Sequence, residues 1–427
     1  MRSYIRDYKR YHRDVKLFLI YSLFANVGIG VFTLLFNLYL TELGHREDYI
    51  GRWNSVNTLT MGVVALVMGF LINRFGVWKC VFGGLLLFLS TSFVLCVVTD
   101  PLLLLVFAGF GGAGTAFLFV PTMPFIVELT GSRERHGVAA LAFSLQSLAT
   151  MFGSLLGGWM PKALKLVGLG GGSAEAYRYT LMAGIAVAGL ALLPLLAMSA
   201  NRRHALPGES ETSEPELLER ERPRRNIRRD MLVFISVGGL MSLGAGAVFP
   251  FYNVFLETRG ASAGDIGLIY SAAGLMAAIC GLLSPYVARR FGPLRAVVLI
   301  RLAPVPFYLL LIGTPALPIA IFGHMIRTTS INMAWPIDST YISEILPAKA
   351  RSQVFSFRSG AWNFGWALSS LLAGQAIVAY GYNISFAAYI LFMSTAMILF
   401  YVYFTGAARS ARSTQLPEAP APATANT

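Results

Sequence analysis

Charge is scarce in this sequence. Of its 427 residues only 13% are Asp, Glu, Lys or Arg, while 56% are hydrophobic, and the mean hydropathy is +0.62. A water-soluble chain of this length cannot bury that much apolar surface, so lipid must be the solvent for most of it. Cysteine is scarce too. The three present, Cys80, Cys96 and Cys280, have spacings that suit neither zinc nor a disulfide framework. No HExxH, Walker loop, GxSxG or metal-spaced His/Cys cluster occurs, so neither an enzyme nor a bound cofactor or metal is expected. "GFGGAG", residues 109–114, has the letters of a dinucleotide fingerprint but lies within an apolar run rather than after a strand. Small residues for close helix packing explain it better.

Long apolar runs are what the sequence has instead. They cover about 16–41, 50–72, 79–98, 101–126, 138–164, 179–198, 231–256, 266–287, 296–313, 316–346, 354–379 and 385–405. Most reach the roughly 20 residues that a helical span needs. The first is too long for a signal-peptide core and is read as retained. None shows the alternation of transmembrane strands. The expectation is an all-α membrane protein with twelve transmembrane helices in two pseudo-symmetric six-helix bundles. Its segments are a cytoplasmic N-terminal segment (1–15), an N-terminal bundle (16–200), a polar cytoplasmic linker (201–229), a C-terminal bundle (230–405) and a disordered cytoplasmic tail (406–427).

The net charge of +13 is unevenly spread, with 25 of the 34 basic residues falling on the side of the N-terminus. That is the positive-inside bias. It places both termini in the cytoplasm of a cell membrane, plasma or bacterial inner, and directs the basic surface at anionic headgroups rather than nucleic acid.

A phrase is written twice. "FNLYLTELGHREDYIG" (36–51) returns 216 residues later as "YNVFLETRGASAGDIG" (252–267), aligning Asn37 with Asn253, Gly44 with Gly260 and Gly51 with Gly267. The same step aligns "NRFG" (73–76) with "RRFG" (289–292), Glu128 with Glu344 and Arg135 with Arg351. Loops and charges in one ungapped register indicate a duplicated six-span unit. Six spans return the chain to its starting side, so the copies share an orientation and enclose a natural cavity at their seam.

At these residues the sequence resembles the major facilitator superfamily, over nearly the whole chain apart from the linker and termini. The family signature G-x-x-x-D-R-x-G-x-x-[KR] stands here as Gly69-Phe-Leu-Ile-Asn73-Arg74-Phe-Gly76-Val-Trp-Lys79, with Asn73 in place of Asp. A looser copy carries Arg290 and Gly292. Glu128–Arg135 and Glu344–Arg351 fit the E-x6-R pattern of sugar-transporter branches. The resemblance implies a cytoplasmic gate in which Asn73, Arg74, Gly76, Glu128, Arg135, Arg290, Gly292, Glu344 and Arg351 form an ion-pair cluster when the protein faces outward. Ser154 replaces the Pro of an antiporter motif, and the first span lacks the acidic residue common among proton-driven exporters of cationic drugs. Both absences argue against that activity.

Polar residues inside spans are costly and mark the working parts. Asn26 and Asn37 share a face of the first span, Asn253 is the seventh-span counterpart of Asn37, and Asn54, Asn57 and Gln146 add neutral groups. His324, Arg327, Trp335 and Asp338 fall on one arc of the tenth span, and Arg358 and Trp362 lie a turn apart on the eleventh. Arg327 and Asp338 are too far apart along a helix to pair, about 16 Å, which leaves Arg327 as a group that attracts a carboxylate or phosphate. Arg301 is a candidate partner for Asp338. The candidate solute-binding set is therefore Asn26, Asn37, Gln146, Asn253, Arg327, Trp335, Asp338, Arg358 and Trp362, with Asp338 as the candidate for a coupling proton. The expected function is secondary active or facilitative transport of a small organic solute, anionic or amphipathic, by alternating access in a lipid-embedded monomer, with export favoured. The alternatives are sugar or organic-acid uptake, and a transporter-fold sensor acting through its linker.

Overall fold

The computed structural model describes residues 11–169, 171–198 and 226–413. The linker expected at 201–229 falls mostly outside the described residues, as do 1–10 and 414–427. Among the described residues there are helices and turns and no strand. The six helical stretches of the first half are α1 Arg13–Glu42, α2 Glu47–Phe75, α3 Val77–Val97, α4 Pro101–Leu129, α5 Ser132–Leu166 and α6 Ser173–Leu196. Those of the second are α7 Ile227–Thr258, α8 Ala263–Leu282, α9 Pro293–Gly313, α10 Leu317–Ile345, α11 Ala348–Tyr380 and α12 Asn383–Ser413. A short helix, Ser284–Phe291, carries α8 into the turn before α9. Ten of the twelve are long and apolar enough to cross a membrane on length and composition alone. The other two, α10 and α11, have 29 and 33 residues and are the helices that hold Arg327, Asp338 and Arg358.

The duplication is visible in the element boundaries. α1 ends at Glu42 and α7 at Thr258, α2 begins at Glu47 and α8 at Ala263, α4 at Pro101 and α10 at Leu317, α5 at Ser132 and α11 at Ala348, each pair one 216-residue step apart. Gly76 and Gly292, expected at the gate, sit at the same turn of each half with φ of 85° and 77°. A Cβ is strained in that left-handed region, so the turn dictates glycine. α12 runs on to Ser413, past the expected start of the tail at 406. Its Ala- and Arg-rich end is good helix-forming sequence.

Short turns join consecutive long helices and therefore alternate between two faces. One, termed here the basic face, carries the turns at Gly76 and Gly292 and the ends of α4 and α10. The far face carries Leu43–Arg46, Asp100 and Arg259–Ser262. Two helix starts on the far face carry side-chain caps: the Asp100 carboxylate accepts from Leu103 N–H at 2.9 Å, and Ser262 and Asp265 form a reciprocal capping box.

The halves meet along α1–α7, α2–α11 and α5–α8. Glycines set the approach at two crossings. A Cβ on Gly51 would lie 2.4 Å from the Ser370 carbonyl oxygen, and one on Gly267 would lie 2.8 Å from that of Ser154. Gly374 and Gly158 face them, with Cα atoms 3.2 and 2.9 Å from the added Cβ atoms. The three residues at one crossing are the register partners of the three at the other. The inter-half hydrogen bonds among the described residues join Asn37 to Pro250, Asn253 to Leu34, Tyr177 to Glu257, Tyr382 to Glu47 and Ser271 to Met151. They lie at mid-depth or on the far face. On the basic face Asn73, Arg74, Arg289 and Arg290 stand exposed.

Candidate functional site

Between the halves lies a cavity of about 440 Å³. The first half contributes Ile29, Phe32, Thr33, Phe36 and Asn37 from α1, Trp53, Asn54 and Asn57 from α2, Phe88, Ser92 and Leu95 from α3, and Gly111, Thr115 and Phe119 from α4. The second contributes Phe249, Pro250 and Asn253 from α7, Tyr270 from α8, Arg327 from α10 and Trp366 from α11. Arg327 is the one charged residue in this lining.

The far end of the cavity is closed by a reciprocal pair. Asn37 Nδ2 donates to the Pro250 carbonyl at 2.6 Å, and Asn253 Nδ2 donates to the Leu34 carbonyl at 2.8 Å. The sequence arranges this locally. α7 loosens into a 3-10 turn at Phe249–Phe251 and restarts at Tyr252. Val254 N–H, in the first turn of the new helix, donates to Asn253 Oδ1 at 3.0 Å. The Pro250 carbonyl is thereby left for Asn37. The amide NH2 groups of Asn54 and Asn57 are spent on the carbonyls of Ile50 and Ala108, at 2.9 and 3.0 Å.

Arg327 is 5% exposed. Its guanidinium carbon lies 4.1 Å from the Phe249 ring centroid and 4.7 Å from that of Tyr252. Nη2 donates to His324 Nδ1 at 2.8 Å, while Nε and Nη1 have no hydrogen-bond partner. The charged or titratable groups around it are Tyr252, Tyr270, Tyr308 and Tyr389 together with His324, and no carboxylate is among them. Cation–π contacts contribute up to ~2 kcal/mol each when desolvated. They offset only part of the cost of an unpaired buried cation. Chemically, a cation so placed among neutral phenols can pair with an anion.

The remaining expected site residues divide into groups. Asn37, Asn253 and Arg327 do line the central cavity. Asn26 and Gln146 line a separate small pocket of about 20 Å³, where Asn26 Nδ2 donates to the Ser22 carbonyl at 2.7 Å. Asp338 forms a buried ion pair with Arg358, and not with Arg301. The pair lies outside the central cavity lining, so neither residue joins Arg327. The guanidinium of α11, not that of α9, is thus the partner the expected coupling residue has in this conformer. Trp335 is 66% exposed and away from the cavity. The buried stripe of α10 runs through Gly323, Arg327, Ser330, Ala334, Ile337 and Asp338, and Trp335 stands off its edge. The Trp362 carbonyl accepts from Ser242, and its ring packs 6.1 Å from that of Trp366. Trp366, one turn further on, is the tryptophan of α11 in the cavity wall. Among the described residues no ion pair joins Arg74, Glu128 and Arg135, or Arg290 and Glu344, so the expected gate cluster is not assembled in this conformer. Arg351 Nε donates to the Leu346 carbonyl at 2.8 Å. Sequence reasoning missed Trp53, Phe249 and Tyr270 as wall residues, since aromatic side chains carry no penalty in a lipid-facing span and give no signal there.

The sequence profile of the Major Facilitator Superfamily matches residues 17–337, about three quarters of the chain, so the chain belongs to that superfamily. It is a multi-pass membrane transporter and not an enzyme. A 140-residue stretch is 25% identical to the "Multidrug resistance protein MdtH" of Aeromonas hydrophila subsp. hydrophila, covering 33% of this chain and 35% of that one. The chain thus spans about a third of the length of that curated relative. Among solved structures, the nucleoside transporter NupG is similar with TM-score 0.69 at 12% identity, over 92% of this chain and 98% of that one. The D-xylose-proton symporter gives 0.67 at 16% identity, over 91% and 97%. A bacterial homologue of the human lysosomal transporter Spinster, inward-facing and unoccupied, gives 0.63 at 16% identity, over 96% and 98%. At these identities the likeness is one of fold.

Proposed function

We propose that this member of the major facilitator superfamily moves a small organic anion with an apolar, aromatic body across the cell membrane by alternating access. The observation that carries this reading is Arg327, a buried cation with no acidic partner in the wall of an otherwise neutral, aromatic cavity between the halves. The far face is held closed by the Asn37–Asn253 reciprocal pair, and the basic face, which the positive-inside bias assigns to the cytoplasm along with both termini, exposes its gate residues. The solute therefore exchanges with the cytoplasm in this conformer, the state in which an exporter loads and an importer releases. A single chain completes the cavity, so the working unit is a monomer in lipid. With no nucleotide-binding motif in the sequence, the driving force is a solute or ion gradient.

A second reading, uptake of a sugar or organic acid, is supported by Asn54 and Asn57, whose carboxamide oxygens remain for a hydroxylated ligand beside Trp366. One experiment separates the readings. Purified protein is titrated with benzoate, benzamide, benzyltrimethylammonium and xylose, using the fluorescence of Trp53 and Trp366 as the signal. The anion reading expects a saturable response to benzoate alone, lost in Arg327→Ala. A response to xylose that survives Arg327→Ala would establish the second reading in its place.

A further inference from the structure

The cavity lining repeats in register and changes its chemistry between the two copies. Thr33, Asn54 and Gly111 line it in the first half. One 216-residue step later stand Phe249, Tyr270 and Arg327, and all three line it in the second. The pseudo-twofold axis carries each position to the same depth on the other side of the seam. Gly111 on α4 is therefore the position across the cavity from Arg327 on α10. The second half sets a cation among aromatic rings, while the first presents small and neutral polar groups.

The polar groups of the first-half wall are oriented by the backbone. Asn57 Nδ2 donates to the Ala108 carbonyl at 3.0 Å and lies 3.4 Å from where a Cβ on Gly111 would stand. Asn54 Nδ2 donates to the Ile50 carbonyl at 2.9 Å, with Asn37 Oδ1 at 3.5 Å. Each carboxamide thus turns its nitrogen to a carbonyl and leaves its Oδ1 to accept. Thr115 Oγ1 gives its one proton to the Gly111 carbonyl at 2.9 Å, so it too can only accept. This wall offers three acceptor oxygens and no charge. Arg327 opposite has only donors, with Nε and Nη1 uncommitted.

We propose that Asn54, Asn57 and Thr115 read a neutral O–H or N–H donor on the solute, at the end remote from its carboxylate. This rests on the reading of Arg327 as an anion site, and it narrows the solute to aromatic acids carrying a phenolic hydroxyl or a ring N–H. A plain aromatic acid satisfies Arg327 and leaves the three oxygens to water. An ammonium at the same end meets no carboxylate among the lining residues, so amino acids and other zwitterions are disfavoured. The favoured solute spans the seam, touching α10 of one half and α2 and α4 of the other.

The test is a ratio of affinities. Phenylacetate, its 3-hydroxy, 4-hydroxy and 4-methoxy derivatives, and the zwitterion 4-(aminomethyl)phenylacetate are titrated calorimetrically into the purified full chain at about pH 7, where a phenol is neutral. One of the hydroxy acids is expected to bind about fivefold or more tighter than phenylacetate, the gain from one net hydrogen bond. The methoxy acid, which has the oxygen without the proton, and the zwitterion are expected to gain nothing. Thr115→Val and Asn57→Leu each remove one acceptor and should lower the ratio of hydroxy to plain affinity toward one. The wild-type ratios stand should neither variant fold. Equal affinities for hydroxy and plain acids, an equal gain from methoxy, a tighter zwitterion, or a ratio that survives in both variants overturns the inference, while binding lost in Arg327→Ala keeps the anion site. No binding of any of these acids overturns the anion site and this inference together.

Discussion

Asn37 and Asn253 stand one 216-residue step apart, and so do their acceptors. Asn37 reaches the Pro250 carbonyl at 2.6 Å and Asn253 reaches the Leu34 carbonyl at 2.8 Å, each across the seam. The repeat thus builds one contact twice about the pseudo-twofold axis. Both bonds exist only while the far face is shut. A buried bond of this kind contributes ~1 kcal/mol net. We expect Asn37→Ala or Asn253→Ala to shift the balance about fivefold or more toward the far-side-open conformer, and by similar amounts. Spin labels at Arg46→Cys and Arg259→Cys, both exposed on the far face, read this as a growing long-distance population. An effect confined to one Asn would show that the two bonds are not equivalent.

Gly51 and Gly267 make the same argument from sterics. A side chain at either position meets a backbone oxygen of the facing half below 3 Å, and neither partner is a flexible tip that could swing away. Gly51→Leu and Gly267→Leu should each wedge the far face apart, raising the labelling rate of a far-face cysteine by an impermeant maleimide at least tenfold. Gly69→Ala, with nothing within 4 Å of the added Cβ, is the matched variant expected to leave the rate unchanged.

These relationships were legible in the sequence to different depths. Matching loops fixed the duplication, because Gly44, Gly76 and their partners must adopt left-handed φ and therefore stay glycine. Arg327 was legible because a cation in an apolar span is costly. The cavity wall was not: Trp53, Phe249 and Tyr270 look like any other lipid-compatible residue in a uniformly apolar run. Nor was the partner of Asp338, since the choice between Arg301 and Arg358 depends on how α9, α10 and α11 pack, which periodicity within one helix does not contain. Trp335 was misplaced for a related reason. The polar residues of α10 marked an arc, but small and apolar residues such as Gly323, Ala334 and Ile337 share in setting which side is buried.

Arg327 should be intolerant even of lysine. Its flat guanidinium lies against two aromatic rings and reaches His324 at the same time, a geometry that an ammonium on a flexible stem does not reproduce. Charge-assisted hydrogen bonds contribute about 1.5–3 kcal/mol. Arg327→Lys and Arg327→Ala are therefore both expected to weaken benzoate binding roughly 10- to 100-fold, measured by tryptophan fluorescence. Wild-type affinity in Arg327→Lys would mean that charge alone suffices.

His45, in the far-face turn between α1 and α2, gives a stability effect with a definite sign. Burial lowers its pKa from the usual value near 6.5, while the nearby Asp48 carboxylate works in the other direction. Its ring stacks on Tyr49 with centroids 4.1 Å apart. The folded state thus resists a proton that the unfolded chain accepts. This contribution to stability is fully present above pH 6.5 and declines as pH falls from there toward the lowered folded value. Melting curves at pH 7.5 and 5.5 should show a smaller acid-induced drop in Tm for His45→Gln than for wild type. An identical drop in both would assign the acid sensitivity elsewhere.

Asp338 and Arg358 give a stability effect that a double variant isolates. The two form a buried ion pair between α10 and α11, and Arg301 lies close enough to feel the same carboxylate. Removing one partner strands a buried charge and typically costs ~3–5 kcal/mol, whereas replacing both with apolar residues of similar size is often neutral. Asp338→Leu should therefore lower Tm by several degrees, and Asp338→Leu with Arg358→Met should recover most of the loss. A double variant no more stable than Asp338→Leu alone would show that the stranded Arg358 charge is not what costs the single variant its stability.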